Sequence, residues 1–387
     1  MPLTIRSKTI INNLVIGSTV SSGGGTTPSY LVVGAFREEG VVNDAGAAFV
    51  YDPSDYTQTP TYLSASDGAA YDSFGHAVAA SSTHIVVGAH YDDDDGSSTG
   101  AVYVWDATNL SNGHTKLVDA SSGDQFGYSV DANDDYIIVG AKNDNEGASN
   151  AGSVLVYDAT DLTADPTRLL NPTPQSSDQF GNSVALTDTQ LIVGAYSAND
   201  FGTDAGIIYI YDITDLSASP SRLYNSVAYS EFGWSVAASS NYIVVGAHDQ
   251  NSNTGSVYVY DATDLSASPT QLTPSTLESN YNFGHSVAVD NNYLVVGCQN
   301  NNAPVYVYDV TNLSATPTEL TGSTDAQFGY SVSIFGNSLA VGSRNGGGND
   351  GGSVSIYNLS NLSSEPTEIQ PTSVGAYDYF GVDVDFG

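Results

Sequence analysis

The word Phe-Gly-x-x-Val recurs seven times in this chain, at Phe74, Phe126, Phe180, Phe232, Phe283, Phe328 and Phe380. The spacing is about 50 residues, which marks a radial or stacked repeat. Each complete copy runs through the same words: Phe-Gly-x-[Ser/Ala]-Val, an apolar run ending near Val-Gly-Ala, and an apolar run ending near Tyr-Asp. A unit this short cannot bury a core by itself, so the repeat overrides any division of the 387 residues into ordinary domains.

One period shows the local structure to expect. Phe232–Ala237 alternates large and small residues, as a strand does, and Ser239–Asn241 is a polar turn. Ile243–Ala247 is a second strand, apolar on both faces and therefore buried, and His248–Thr254 is a polar loop. Ser256–Tyr260 is a third strand, Asp261–Ser266 a turn, and Pro269–Leu272 a short fourth strand whose proline suits a sheet edge. Four antiparallel strands make one propeller blade.

The second-strand word recurs at Val32–Ala35, Val86–Ala89, Ile138–Ala141, Ile192–Ala195, Val244–Ala247, Val295–Cys298 and Ala340–Ser343, and the third-strand word keeps pace. Seven blades are expected in an all-β fold. The last Phe-Gly word starts a first strand just before the chain stops, while Leu31–Ala35 has no good Phe-Gly word before it. Pairing Phe380–Phe386 into the N-terminal blade as its innermost strand leaves no open edge. Ile16–Val20, a degenerate match to the same word, is the rival for that place. The organisation expected is a segment 1–29, for docking or an extra strand, and a propeller over 30–387.

These words resemble the FG-GAP repeats of the integrin-α N-terminal domain. They are closer still to the variant repeats of bacterial and marine-virus surface proteins, on Phe-Gly-x-Ser-Val-Ala at 232–237, Ile-Val-Val-Gly-Ala at 243–247 and Gly-Ser-Val-Tyr-Val-Tyr at 255–260. The resemblance implies a seven-bladed propeller and, by analogy alone, adhesion or recognition. Integrin repeats carry an Asp-x-Asp-x-Asp-Gly calcium loop between strands one and two. Here that place holds turns such as Ser81–Thr83, Asn133–Asp135 and Ser239–Asn241, too short to wrap a cation with six or more oxygens. The integrin calcium sites do not carry over.

Charge narrows the partners. Forty-three acids face eight bases, for a net charge of −35. Such a surface repels phosphate backbones and anionic membrane surfaces, so neither nucleic acid nor membrane insertion is expected. No run approaches the ~20 apolar residues that span a bilayer, and no secretory signal is seen. The segment before Glu38 carries Arg6, Lys8 and Arg37 and no acid. That contrast favours a virion component whose first 29 residues dock to a carrier particle or to sister subunits. The expected location is a virion surface or an extracellular or cell surface.

Strand direction gathers the variable loops between strands two and three at the end where each Phe-Gly word enters, and variable loops on a rigid scaffold are where binding evolves. The residues following each Phe-Gly form a ring: His76, Tyr128, Asn182, Trp234, His285 and Tyr330, with Val382 as the seventh. Aromatics with polar tips at a channel mouth can stack sugars or receive a partner's loop; inter-blade packing or simple channel lining is the plainer reading of the same ring. The run Asp92, Asp93, Asp94, Asp95 offers oxygens suited to calcium or is a solvated charge run. Asp106, Asp158, Asp212, Asp261 and Asp309, each in Asp-x-Thr-[Asp/Asn]-Leu, read as residues that bond their own turn. Cys298 stands in a buried strand and is inert.

No nucleophile elbow, phosphate loop or His-Glu-x-x-His word occurs. The reading is a non-enzymatic recognition, adhesion or structural module that binds a glycan or protein ligand through the loop-rich face. The alternatives are a carbohydrate-active enzyme with carboxylates at the channel mouth and a pure scaffold.

Overall fold

In the computed structural model, residues 29–38, 44–118, 121–322, 326–347, 350–371 and 373–387 are described. The expected docking segment and the rival strand at 16–20 lie outside them. The described chain forms seven four-stranded antiparallel sheets in a ring. Blade 5 shows the pattern: Val236–Ala238 innermost, then Tyr242–Ala247, Ser256–Asp261 and Thr270–Leu272 at the rim. Each inner strand packs against the inner strands of the blades on either side.

The C terminus closes the ring. Val384–Phe386 pairs antiparallel with Leu31–Ala35, in the register Leu31 with Phe386 and Val33 with Val384. Gly34 N–H donates to the Asp383 carbonyl and Gly381 N–H to the Gly34 carbonyl, both at 2.9 Å. The first and last described strands therefore share blade 1, as the incomplete last word implies.

In five blades the inner strand is shorter than its sequence pattern. Regular pairing begins at Ala77, Ser183, Val236, Ser286 and Val384, beyond the Phe-Gly itself. Only the inner strands Phe126–Ala132 and Phe328–Phe335 include the dipeptide, and both carry a bulge directly after it. The cause is local. The glycines of the seven repeat words have φ between 84° and 93°, which breaks an extended strand and turns the following side chain toward the axis.

That turn also locks blade to blade. The glycine of each Val-Gly-Ala word lies under the Phe-Gly carbonyl of the next blade: a Cβ on Gly246 would stand 2.1 Å from the Gly284 oxygen, and one on Gly88 2.2 Å from that of Gly127. The serine after the ring residue completes the joint. Ser129, Ser183, Ser235, Ser286 and Ser331 each donate their hydroxyl to the glycine carbonyl of the next blade, at 2.8–2.9 Å. The Phe points the other way, into its own blade, and meets the third-strand tyrosine edge to face, as Phe232 does Tyr258 at 5.4 Å. Large side chains on one face and small ones on the other let identical blades nest.

The Asp-x-Thr words are turns. In all five, the aspartate Oδ1 accepts from the backbone N–H and the hydroxyl of the threonine two residues on, at 2.8–2.9 Å and 2.6 Å. These bonds hold the five carboxyls below their usual range. Cys298 is fully buried, and burial pushes its thiol up.

Candidate functional site

The seven turns put their side chains at one mouth of the central channel. His76, Tyr128, Asn182, Trp234, His285, Tyr330 and Val382 line a cavity of about 180 Å³ there. One residue comes from each blade, so the site exists only because the ring closes. Asn182 is tied down by its amide, which donates to the Trp234 carbonyl at 3.1 Å. Burial drives His76 down to about 4 and His285 to about 3, so both rings are neutral at pH 7.

A second ring lies behind the first, and sequence reasoning missed it. In six of the seven blades the residue directly after the Val-Gly-Ala word packs onto a residue that follows Phe-Gly. His90 meets His76 at 4.1 Å and Tyr128 at 5.3 Å, Tyr196 meets Trp234 at 4.9 Å, and His248 meets Trp234 at 4.2 Å. Phe36 lies against His76 at 5.8 Å, the Lys142 Nζ is 3.3 Å from the Tyr128 ring centre, and the Arg344 guanidinium stands over Tyr330 at 5.0 Å. The signal was one position past a word already recognised. What hid it was the variety of residue types there, which share only their place.

The outer rim of the same face is rich in tyrosine. Tyr71, Tyr229 and Tyr377 are 68%, 63% and 57% exposed, and each occupies the third position before a Phe-Gly. Their φ values are 75°, 58° and 69°, in the left-handed region that bulky side chains avoid. The N–H of Tyr71 donates to the Asp44 carbonyl and that of Tyr229 to the Thr203 carbonyl, so the loops between strands two and three hold these two.

The acids separate into two kinds. Of the four-aspartate run, Asp92 is buried and its carboxylate accepts from the Tyr103 hydroxyl at 2.7 Å. The Lys116 ammonium sits 2.9 Å from Asp92, 2.8 Å from Asp94 and 2.9 Å from Asp67, while Asp93 and Asp95 are exposed. Burial disfavours the Lys116 charge, but the hydrogen bonds to Asp94, Asp67 and Asp92 outweigh it and hold its pKa up. The next blade repeats the arrangement with Asp144 and Arg168, so Asp92 has a place in the repeat's own framework.

A different group, unforeseen from the sequence, gathers at the mouth. Ligand atoms of Glu231, His248 and Asp249 lie within 4.8 Å of one another, and no other such group of three occurs among the described residues. His248 is 5% exposed; its Nδ1 has no hydrogen-bond partner and is 3.6 Å from the Glu231 carboxylate, while Nε2 is 3.3 Å from Asp249. Burial, then Asp249 and Asp204, push Glu231 up to about 7. Two carboxylates and one imidazole suit a transition ion better than calcium, which takes six to eight oxygens. Glu231 comes from before a Phe-Gly and the other two from after a Val-Gly-Ala, and only the fold unites them.

Known proteins place the architecture. The family model described as FG-GAP repeat matches residues 60–105, 116–157, 167–211, 225–260 and 318–357, together more than half of the chain. No curated protein matches. Among solved structures, an acylaminoacyl peptidase in complex with Z-Gly-Gly-Phe-chloromethyl ketone aligns at 10% identity and a TM-score of 0.54, over 84% of this chain and 48% of that one. This chain thus spans about half the peptidase's length. A chain of the mitotic checkpoint complex aligns at 16% identity and 0.49, over 80% and 87%. Hsv2 of Kluyvelomyces marxianus aligns at 9% identity and 0.44, over 72% and 74%. At 10% identity the likeness to the peptidase is one of fold alone. Among the described residues, no helix is long and apolar enough to cross a membrane.

Proposed function

The chain belongs to the FG-GAP repeat family, and on that premise we propose that it is a non-enzymatic recognition module that binds a glycan through the mouth of its channel and the tyrosine rim around it. The observation that carries this is the rim itself. Tyr71, Tyr229 and Tyr377 are large, exposed and held at positive φ, a backbone state costing on the order of 1 kcal/mol or more for such residues. Nothing in packing repays exposed rings, and tyrosine is the residue that gives contact area and a polar tip at little entropic cost. Aromatic faces at both the rim and the mouth suit the apolar faces of sugar rings, and a protein loop entering the mouth is the competing ligand. Display on a virion or cell surface, with residues 1–29 as the attachment to a carrier particle or sister subunits, completes the reading; it rests on the acid-free stretch before Glu38. Binding to an oligosaccharide array tests it. The intact chain should retain specific glycans, and the triple variant Tyr71→Ser, Tyr229→Ser, Tyr377→Ser should lose them with its melting temperature unchanged. Equal retention by the triple variant would refute the rim's role.

A second reading has one observation in its favour. Glu231 and Asp249 bring carboxylate oxygens close together at the mouth, and Glu231 is held near 7, as a general acid would be. A carbohydrate-active enzyme would then cleave some member of the array, and Glu231→Gln would abolish the turnover. Calcium at Asp92–Asp95 is likewise proposed, with the ion competing for the place of the Lys116 ammonium; a calcium-dependent rise in melting temperature is its test.

A further inference from the structure

The mouth is electrically lopsided. Glu231 and Asp249 stand at blade 5, whereas Arg37, Lys142 and Arg344 stand at blades 1, 3 and 7. In a chain with a net charge of −35, half of the basic side chains among the described residues collect here. Both arginines share one support. Phe36 and Tyr379 stack at 5.5 Å with their planes 22° apart. The Arg344 guanidinium lies 4.5 Å from the Tyr379 centroid and 6.0 Å from that of Phe36, and Arg37 lies 5.3 Å and 5.6 Å from the same two rings.

Two like charges on one ring pair repel unless an anion joins them. Among the described residues the ion pairs belong to Lys116, Arg168 and His248, and the three mouth cations take part in none. Glu38, next to Arg37, accepts from the Tyr62 hydroxyl at 2.8 Å, and Asp378, next to Tyr379, accepts from the Gly375 N–H. The Arg344 Nε is buried with no acceptor. Lys142 is held over Tyr128 on the far side of His76, where burial lowers its ammonium to about 7, so an anion beside it would restore its full charge; burial, then Lys142 and Arg344, depress the basicity of His76.

We propose that Arg344 and Arg37, carried on the Phe36–Tyr379 pair, with Lys142 facing them across His76, form an anion-binding pole that takes the carboxylate or sulfate of an acidic sugar. The proposal rests on the glycan reading above and deepens it. A guanidinium fork matches either group with two parallel hydrogen bonds, and the adjoining neutral rings of His76, Tyr330 and Trp234 supply stacking for the sugar body. The acidic remainder of the surface repels bulk polyanions, so a single acidic residue presented at a chain end fits best.

Calorimetric titration of the full chain tests this with a trisaccharide bearing one terminal galacturonate on two neutral galactoses, a galactotriose carrying one terminal sulfate, and neutral galactotriose. The proposal expects at least one acidic trisaccharide to bind about tenfold or more tightly than the neutral one, with the difference shrinking at high salt. Arg344→Gln and the exposed-site variant Arg37→Gln should each remove most of that preference, and Arg344→Lys should restore only part of it. Arg222→Gln, an exposed cation on the rim of blade 4, should change nothing. Equal binding of neutral and acidic sugars would overturn the anion pole and leave the glycan reading standing. An acidic peptide that binds where no trisaccharide does would overturn both.

Discussion

Asp385 is fully buried in the channel wall, with one carboxylate oxygen accepting from Ala80 N–H at 2.7 Å and the other without a partner. Asp383 and Asp131 do the same work, accepting from Val78 and Leu186 of neighbouring blades at 2.8 Å and 2.7 Å. Burial, above all, raises all three pKa values well above the carboxylate range, and for Asp385 the charges of Asp131 and Asp383 add to it. A carboxyl raised on folding contributes stability that is fully present below its ordinary value and is lost as pH rises through the raised one. The turn aspartates, held low, act in the opposite sense: their contribution is present above the ordinary value and lost as pH falls through the lowered one. Asp385→Asn keeps an acceptor for Ala80 and cannot ionise. It should raise stability at pH 7 by on the order of 1–3 kcal/mol. Melting at pH 7 and pH 4 checks this: the gain should vanish at pH 4, and an equal gain at both would show that charge is not the cause. At the acidic run, Lys116→Met leaves three aspartates without their cation, so it should lower the melting temperature and steepen any response to added calcium.

The element that decides the architecture is the joint between blades. Gly246 and Ser235 meet the same carbonyl, that of Gly284, one by close approach and the other by a 2.8 Å hydrogen bond. Ser235→Ala should cost about 1 kcal/mol. Gly246→Ala forces backbone against backbone and should cost on the order of 2–4 kcal/mol. Urea denaturation of both variants checks the order, and a harmless Gly246→Ala would mean that the blades stand further apart. These joints were legible in the sequence because the glycine recurs in every blade and the serine in five of the seven. The start of the inner strand was not, because the alternation Phe-Gly-Trp-Ser-Val reads as a strand although the glycine's φ of 93° ends it. The ring after Phe-Gly could be seen for the same reason of repetition. The Glu231, His248 and Asp249 group could not, since no other blade carries these three residue types together at those positions. Likewise Lys116 lies too far along the chain from Asp92 for spacing to betray the pair.

At the scale of the whole molecule, the mouth, its rim and its two electrical poles depend on the ring being shut by the last strand. Leu31–Ala35 lies between Val384–Phe386 and Ala47–Tyr51, so the first described strand of the chain takes the last as its partner. Phe380 joins Phe49 and Tyr51 in the core of blade 1, at 5.3 Å and 6.4 Å, and the edge of that blade would otherwise stand open to the channel. Hydrogen exchange at Leu31–Ala35, compared between the intact chain and one ending at Tyr379, measures that dependence directly. The closed ring predicts slow exchange in the intact chain and loss of protection at these five residues when the strand is missing. Undiminished protection in the shortened chain would contradict it.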